Sequence, residues 1–300
     1  MSPHLLSVDP PPPIWIYDFR DRPDLPDGPL APTEYNGRHA RVAALLRDIL
    51  DFHRLEFGWR SHDGRGGRLA LFLDSPRQGG WSDPYLGYLG LTGPRTYEGR
   101  DGRLYRFDDF AVSADYAAHE FQHLVTHACA ELGASTPEAH ALNESLSDCF
   151  AIAFRHWRAR KAGAAARAVD WRFGAGVALE PLSCTRNLAE PGDPRAWTPG
   201  FAHWSEVRPN EKGVVDGYAL SLVASLAFRR VAYALGEDVL APARIWQAAL
   251  ADPRMRGVKT FAGFADLTLS TARARWREAE HAVQAGWASV GVAPGAPIIV

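Results

Sequence analysis

His119-Glu120-Phe121-Gln122-His123, followed by Asn143-Glu144-Ser145-Leu146-Ser147-Asp148, decides how this chain is read. On a helix, side chains four apart lie on one face a turn from each other, so the two imidazoles can converge on one ion while Glu120 points to the adjoining side. Two ligands hold a metal poorly. Glu144 supplies a third if its helix packs antiparallel against the first, and two nitrogens with one carboxylate leave zinc a fourth position open to water. Asp148, one turn after Glu144 on the same face, is placed to accept the second ring N–H of a ligating histidine, and Asn143 is taken as a further orienting partner. A histidine pair alone is as easily an ordinary helix face. A carboxylate beside each ligand set, on two separate helices, is not.

The remaining composition is that of an ordinary globular protein: 300 residues, 46% hydrophobic and 23% charged. A net charge of -2 gives no electrostatic reason to expect nucleic acid or an anionic membrane as partner. The three cysteines, Cys129, Cys149 and Cys184, cannot all pair and lack zinc-ribbon spacing, so Cys129 and Cys149 are read as small buried residues on the two site helices. No signal-peptide pattern and no membrane-span-length apolar run is found, which makes a cytoplasmic location the default expectation, with non-classical export as the other route.

Along the chain, Pro10-Pro11-Pro12-Pro13 marks residues 1–13 as an extended arm. Strands are expected at 14–18, 68–74 and 104–107, and a helix over 35–53 with Val42, Leu45, Leu46, Ile49 and Leu50 on its buried face. Residues 78–102, rich in Gly, Pro and Tyr, read as a long irregular connection rimming a cleft. Ser113 is placed to cap the first site helix, running to about Glu131 with Gly133 as its stop, and Thr136-Pro137-Glu138 opens the second, through Phe154 or beyond. Residues 161–212 show no sustained periodicity. Helices are expected at 214–235, 239–250, 261–275 and 277–290. The division is an arm at 1–13, a mixed N-terminal lobe at 14–134 and a mainly helical C-terminal lobe at 135–300, with zinc between the lobes.

These motifs resemble those of the thermolysin-like (M4) zinc metallopeptidases, in particular their short bacterial, protealysin-type members. Besides the zinc motifs, Ile16-Tyr17-Asp18 with Leu25-Pro26, Trp171 to Gly174, Thr185-Arg186-Asn187-Leu188-Ala189-Glu190-Pro191 and the tail from Ala279 to Val292 are similar to family segments. The resemblance implies an α+β, two-lobe metalloprotease fold and one Zn²⁺ held by His119, His123 and Glu144. It also implies Glu120 as base, Asp148 as the carboxylate behind a ligand, and Arg186 as a substrate contact, with a structural ion pair as the other reading of Arg186.

The departures fall on the transition-state side. The family pattern Gly-x-Val-His-x-Asn-Ser-Gly supplies a histidine to the developing oxyanion, whereas Lys212-Gly213-Val214-Val215-Asp216-Gly217-Tyr218-Ala219 stands here, with Val215 at the donor position. The assisting tyrosine has no counterpart, Leu132-Gly133-Ala134-Ser135 standing there instead. His203 and Tyr218 are the candidate replacement donors. His127 reads as a helix-end hydrogen bonder, and His140, a turn before Glu144, as solvent-exposed. Arg155, Arg172 and Ala175 occupy positions of acidic calcium ligands, and an arginine facing Asp115 replaces the cation, so no calcium is expected. Two functions compete: a zinc endopeptidase acting on peptides or proteins through zinc-bound water activated by Glu120, and a catalytically degenerate zinc protein that binds a peptide or partner. The sequence does not speak to oligomeric state.

Overall fold

Apolar residues at helical spacing place α1 over Gly37–Phe57, with the expected Val42, Leu45, Leu46, Ile49 and Leu50 face turned inward. Asn36 opens it by accepting from the N–H groups of Arg38 and His39, and Gly58, at φ 67°, closes it in the left-handed conformation that glycine tolerates best. The computed structural model describes residues 13–19, 26, 28–77, 79–99, 101–133, 135–163 and 169–294. Apart from Pro13, the proline arm lies outside them, as does Leu25.

Beside α1 is a four-stranded sheet in the order β1 (Ile14–Asp18), β2 (Leu69–Leu73), β4 (Tyr88–Leu91) and β3 (Trp81–Asp83). β1 and β4 run parallel to β2, and β3 is antiparallel to β4. The continuous apolar run Leu69-Ala70-Leu71-Phe72-Leu73 is buried at every residue, as parallel strands covered on both faces require. β5 (Arg95–Glu98) pairs with β6 (Leu104–Phe107) in a separate hairpin. The segment expected to be irregular, 78–102, thus carries three strands. They escape periodicity because β4 finds its partner β2 far along the chain, and because Gly90 sits where a Cβ would lie 2.1 Å from the Trp81 indole across the ladder.

Two long helices follow. α2 (Ala114–Cys129) starts at Ser113, whose hydroxyl accepts from the Tyr116 N–H, and α3 (Pro137–Lys161) starts at Thr136, which accepts from the Ala139 N–H ahead of a proline-tolerant first turn. β7 (Arg172–Phe173) and β8 (Arg186–Asn187) form a short antiparallel pair near the start of α2. The chain ends in α4 (Gly217–Ala234), α5 (Leu240–Leu250), α6 (Phe261–Arg275) and α7 (Glu280–Ala288). α3 lies between α2 and α4, to which Ser225 ties it by a buried hydrogen bond to Ser145. Trp246 stacks on Trp287, whose indole N–H donates to Thr268. One apolar core runs from Ile16 and Leu71 through Phe121 and Phe150 to Val223 and Trp246, so α2 and α3 are held on both flanks. The fold is α+β. None of the helices among the described residues is long and apolar enough to cross a membrane.

Candidate active site

α2 and α3 run antiparallel, since His119 on the first meets Asp148 on the second while His123, a turn later, meets Asn143, a turn earlier. This arrangement brings His119 Nε2, His123 Nε2 and the Glu144 carboxylate together. The two nitrogens are 3.0 Å apart, Glu144 Oε2 is 3.4 Å from His119 Nε2, and Oε1 is 3.5 Å from His123 Nε2. Ligands on a tetrahedral zinc with bonds near 2.0–2.1 Å stand about 3.3 Å from one another, so the separations fit the ion. The chemistry of the donors fits as well. His119 Nδ1 lies 2.9 Å from Asp148 Oδ1 and His123 Nδ1 lies 3.0 Å from Asn143 Oδ1. Each ring therefore donates its proton outward and turns its Nε2 lone pair inward.

The electrostatics favour a cation at this point. Burial acts to lower the His119 imidazole, but hydrogen bonds and charge from Asp148 and Glu144 outweigh it and raise it to about 9. Burial pushes His123 down to about 4 against the pull of Glu144, which keeps it a neutral lone-pair donor. Glu144 is held well below the usual carboxylate range, as the two histidines overcome the cost of its burial.

Glu120 projects from the adjoining side of α2 and is buried. Burial raises its carboxyl to about 7; the His119 charge opposes the rise and Glu144 adds to it. The close approach of the chain at Gly80 leaves it room, since a Cβ there would fall 2.3 Å from Glu120 Oε1. All four groups open onto a cavity of about 430 Å³, also lined by Arg77, Trp81 and Pro84 from the segment around β3, and by His140, Arg186 and Tyr218 from α3, β8 and α4.

Arg186 forms the structural ion pair of its two sequence readings and also borders the cavity. Its buried guanidinium grips Asp148 through Nε at 2.5 Å and Nη2 at 2.7 Å, and Nη2 reaches to 3.5 Å from Glu144 Oε2, yet the side chain also lines the cavity. Asp148 thus serves two partners, holding His119 with one oxygen and Arg186 with both.

Of the two candidate replacement donors, only Tyr218 reaches the cavity. Glu144 first and burial second push its phenol up to about 12, so it keeps its proton at neutral pH. His203 is a correction. It caps the turn at Trp204–Glu206 by accepting from the Ser205 N–H, and its ring lies so close to Gly291 that a Cβ there would fall 2.4 Å from it. His140 is also corrected: it is half-buried, with Nε2 3.7 Å from Glu144 Oε1 and its ring edge-on to Tyr218 at 5.0 Å. His127 packs against Tyr85.

Three contributors are absent from the sequence reading. Ser147 Oγ lies 3.1 Å from His123 Nδ1, beside Asn143. Its position one turn past Asn143 was the available signal. Phe173 stacks on the His119 ring at 4.9 Å, and Tyr116 hydrogen-bonds to Thr185 at 2.6 Å in the same wall; both contacts depend on the path of the loop after α3 and leave no local pattern.

A family model described as the thermolysin metallopeptidase alpha-helical domain matches residues 135–292. The chain belongs to this family. That span includes Glu144 and Asp148, and the family implies zinc, for which His119, His123 and Glu144 are the available donors. The chain is 27% identical over 294 residues to "Protease PrtS" of Photorhabdus sp. (strain Az29), covering 92% of this chain and 76% of that one. It is 29% identical over 204 residues to an "Extracellular metalloprotease" of Pectobacterium carotovorum subsp. carotovorum, covering 64% and 56%. Its fold is similar to that of the precursor of protealysin, a metalloproteinase from Serratia proteamaculans, with a TM-score of 0.78 at 24% identity over 93% of this chain and 87% of the other.

Proposed function

We propose that this thermolysin-family chain is a zinc-dependent endopeptidase, and the observation that carries the reading is the placement of a buried Glu120 beside the three converging ligand atoms. His119, His123 and Glu144 would hold the zinc ion, which when bound would supply Lewis acidity and make water more acidic, with a pKa toward ~7. Glu120 takes the proton of that water as its oxygen attacks the peptide carbonyl carbon. It then delivers the proton to the amine nitrogen as the C–N bond breaks, so the base is regenerated and one water is consumed. The elevated carboxyl of Glu120 suits this exchange, because a base works best when its pKa lies near the working pH. Asp148 and Asn143 hold the two imidazoles in the required tautomer, and Arg186 fixes Asp148 while presenting a face to the substrate.

No calcium is required in this reading, because Arg155 stands against Asp115 as a built-in cation. A second reading, a zinc protein that binds peptides without cleaving them, is favoured by one feature, Val215 at the position of the family's oxyanion donor. The test is hydrolysis of casein and of a quenched peptide set by zinc-loaded protein. Cleavage abolished by 1,10-phenanthroline and restored by zinc is expected. Intact substrate at full zinc occupancy selects the binding protein.

A further inference from the structure

Peptide hydrolysis by water places a negative charge on the former carbonyl oxygen, and that charge must meet N–H or O–H groups already in position. The donors lining the cavity can be sorted by whether they are already engaged. Arg186 uses Nε and Nη2 on Asp148, and Asn143 faces His123. Arg77, Ser82 and His127 line it as well, but His140 and Tyr218 are the donors set beside the ligand Glu144. His140 Nε2 is 3.7 Å from Glu144 Oε1, a loose ion pair longer than a hydrogen bond, and the Tyr218 hydroxyl makes no hydrogen bond among the described residues.

Their placement is specific. His140 precedes the ligand Glu144 by one turn of α3, so it shares the face that looks onto the ion position. Tyr218 belongs to the first turn of α4 and meets the His140 ring edge-on at 5.0 Å. The imidazole lies against Gly217, where a Cβ would be 2.3 Å from Nδ1 and 2.8 Å from Cγ. Glycine there makes room for the histidine. Glu120, in contrast, comes from α2 and backs onto Gly80, so base and donors are supplied by different walls.

We infer that His140 and Tyr218 are the hydrogen-bond donors that stabilise the tetrahedral oxyanion in this chain, in place of the residue that Val215 replaces. The inference rests on the peptidase reading. Neither side chain makes or breaks a covalent bond; each donates one hydrogen bond to the oxyanion while the proton traffic stays with Glu120.

The test uses the zinc-loaded full chain with His140→Ala, His140→Gln, Tyr218→Phe and Gly217→Ala. Four quantities are measured: zinc content, kcat and KM on a quenched peptide, and calorimetric affinity for a phosphinic peptide whose tetrahedral anion mimics the oxyanion. With zinc content and KM nearly unchanged, kcat is expected to fall about 10²–10³-fold in His140→Ala and at least ~10-fold in Tyr218→Phe. Phosphinate affinity should fall with kcat. His140→Gln, which keeps an N–H at similar reach, is expected to regain part of the loss, and Gly217→Ala, which displaces the ring, to reproduce it. Wild-type cleavage that needs Glu120 but is unaffected by His140→Ala and Tyr218→Phe overturns the inference and leaves the peptidase reading standing. Loss of zinc from His140→Ala assigns the ring to metal retention and overturns it too. A zinc-saturated wild type with no activity removes both.

Discussion

Arg155 on α3 places Nη1 2.7 Å from Oδ2 of Asp115, a carboxylate buried in the first turn of α2. The same oxygen accepts from the Gly174 N–H, and Arg155 reaches on to the carbonyl oxygens of Asp170 and Arg172. One guanidinium thereby links the helix that carries the histidines to the strand β7 that carries Phe173. Calcium is expected to leave the melting temperature unchanged, and EGTA likewise, in thermal denaturation of the zinc-loaded protein. Arg155→Ala should lower stability by roughly 1–3 kcal/mol, because a buried carboxylate loses its charged partner. A calcium-dependent rise in the wild-type melting temperature would refute the built-in cation.

Asp148 joins His119 to Arg186 at full burial, which makes it the hinge between metal binding and the cleft wall. Asp148→Asn is expected to weaken zinc binding about 10–100-fold, the usual cost of losing an orienting carboxylate. Competition against a fluorescent zinc chelator measures it directly. Wild-type affinity in the variant would show that the ligands orient themselves.

Glu120 must be ionised to accept a proton, and burial raises its carboxyl to about 7. A cation at the three ligand atoms adds positive charge and draws that value down. Cleavage should therefore rise with pH through a single ionisation at or below about 7 and lose activity on acidification. The pH profile of kcat/KM checks this, provided that zinc occupancy is measured at each point. Activity that climbs as pH falls would exclude a carboxylate base.

Gly80 offers a sharper probe of position, since a Cβ there would sit 2.3 Å from Glu120 Oε1 and 3.0 Å from Cδ. Gly80→Ala is expected to displace the base by a fraction of an ångström to about one, cutting kcat by ~10–100-fold with zinc retained. Unchanged kcat would mean that Glu120 works from another rotamer.

The site was legible where chemistry and helical period coincide. His119, His123, Glu144 and Asp148 are read correctly as neighbours because positions four apart share a face, and because Ser113 and Thr136-Pro137 mark both helix starts. Helices in the C-terminal half are equally plain, the expected 261–275 element being α6 residue for residue. What spacing does not carry is the return of distant segments. β4 pairs with β2 over an intervening strand, Phe173 reaches His119 from the two-residue strand β7, and His203 precedes the 212–219 run in sequence yet caps a separate turn. His140 was misjudged for a related reason: its exposure is set by Gly217 and Tyr218 on α4, not by its own helix.

Glu120→Gln at verified full zinc occupancy tests the central claim most directly, because it removes the base while leaving the His119, His123 and Glu144 donors in place. A drop in kcat/KM of about 10²–10⁴-fold, with zinc content unchanged, is the expected result. Cleavage by the variant at the wild-type rate would contradict it.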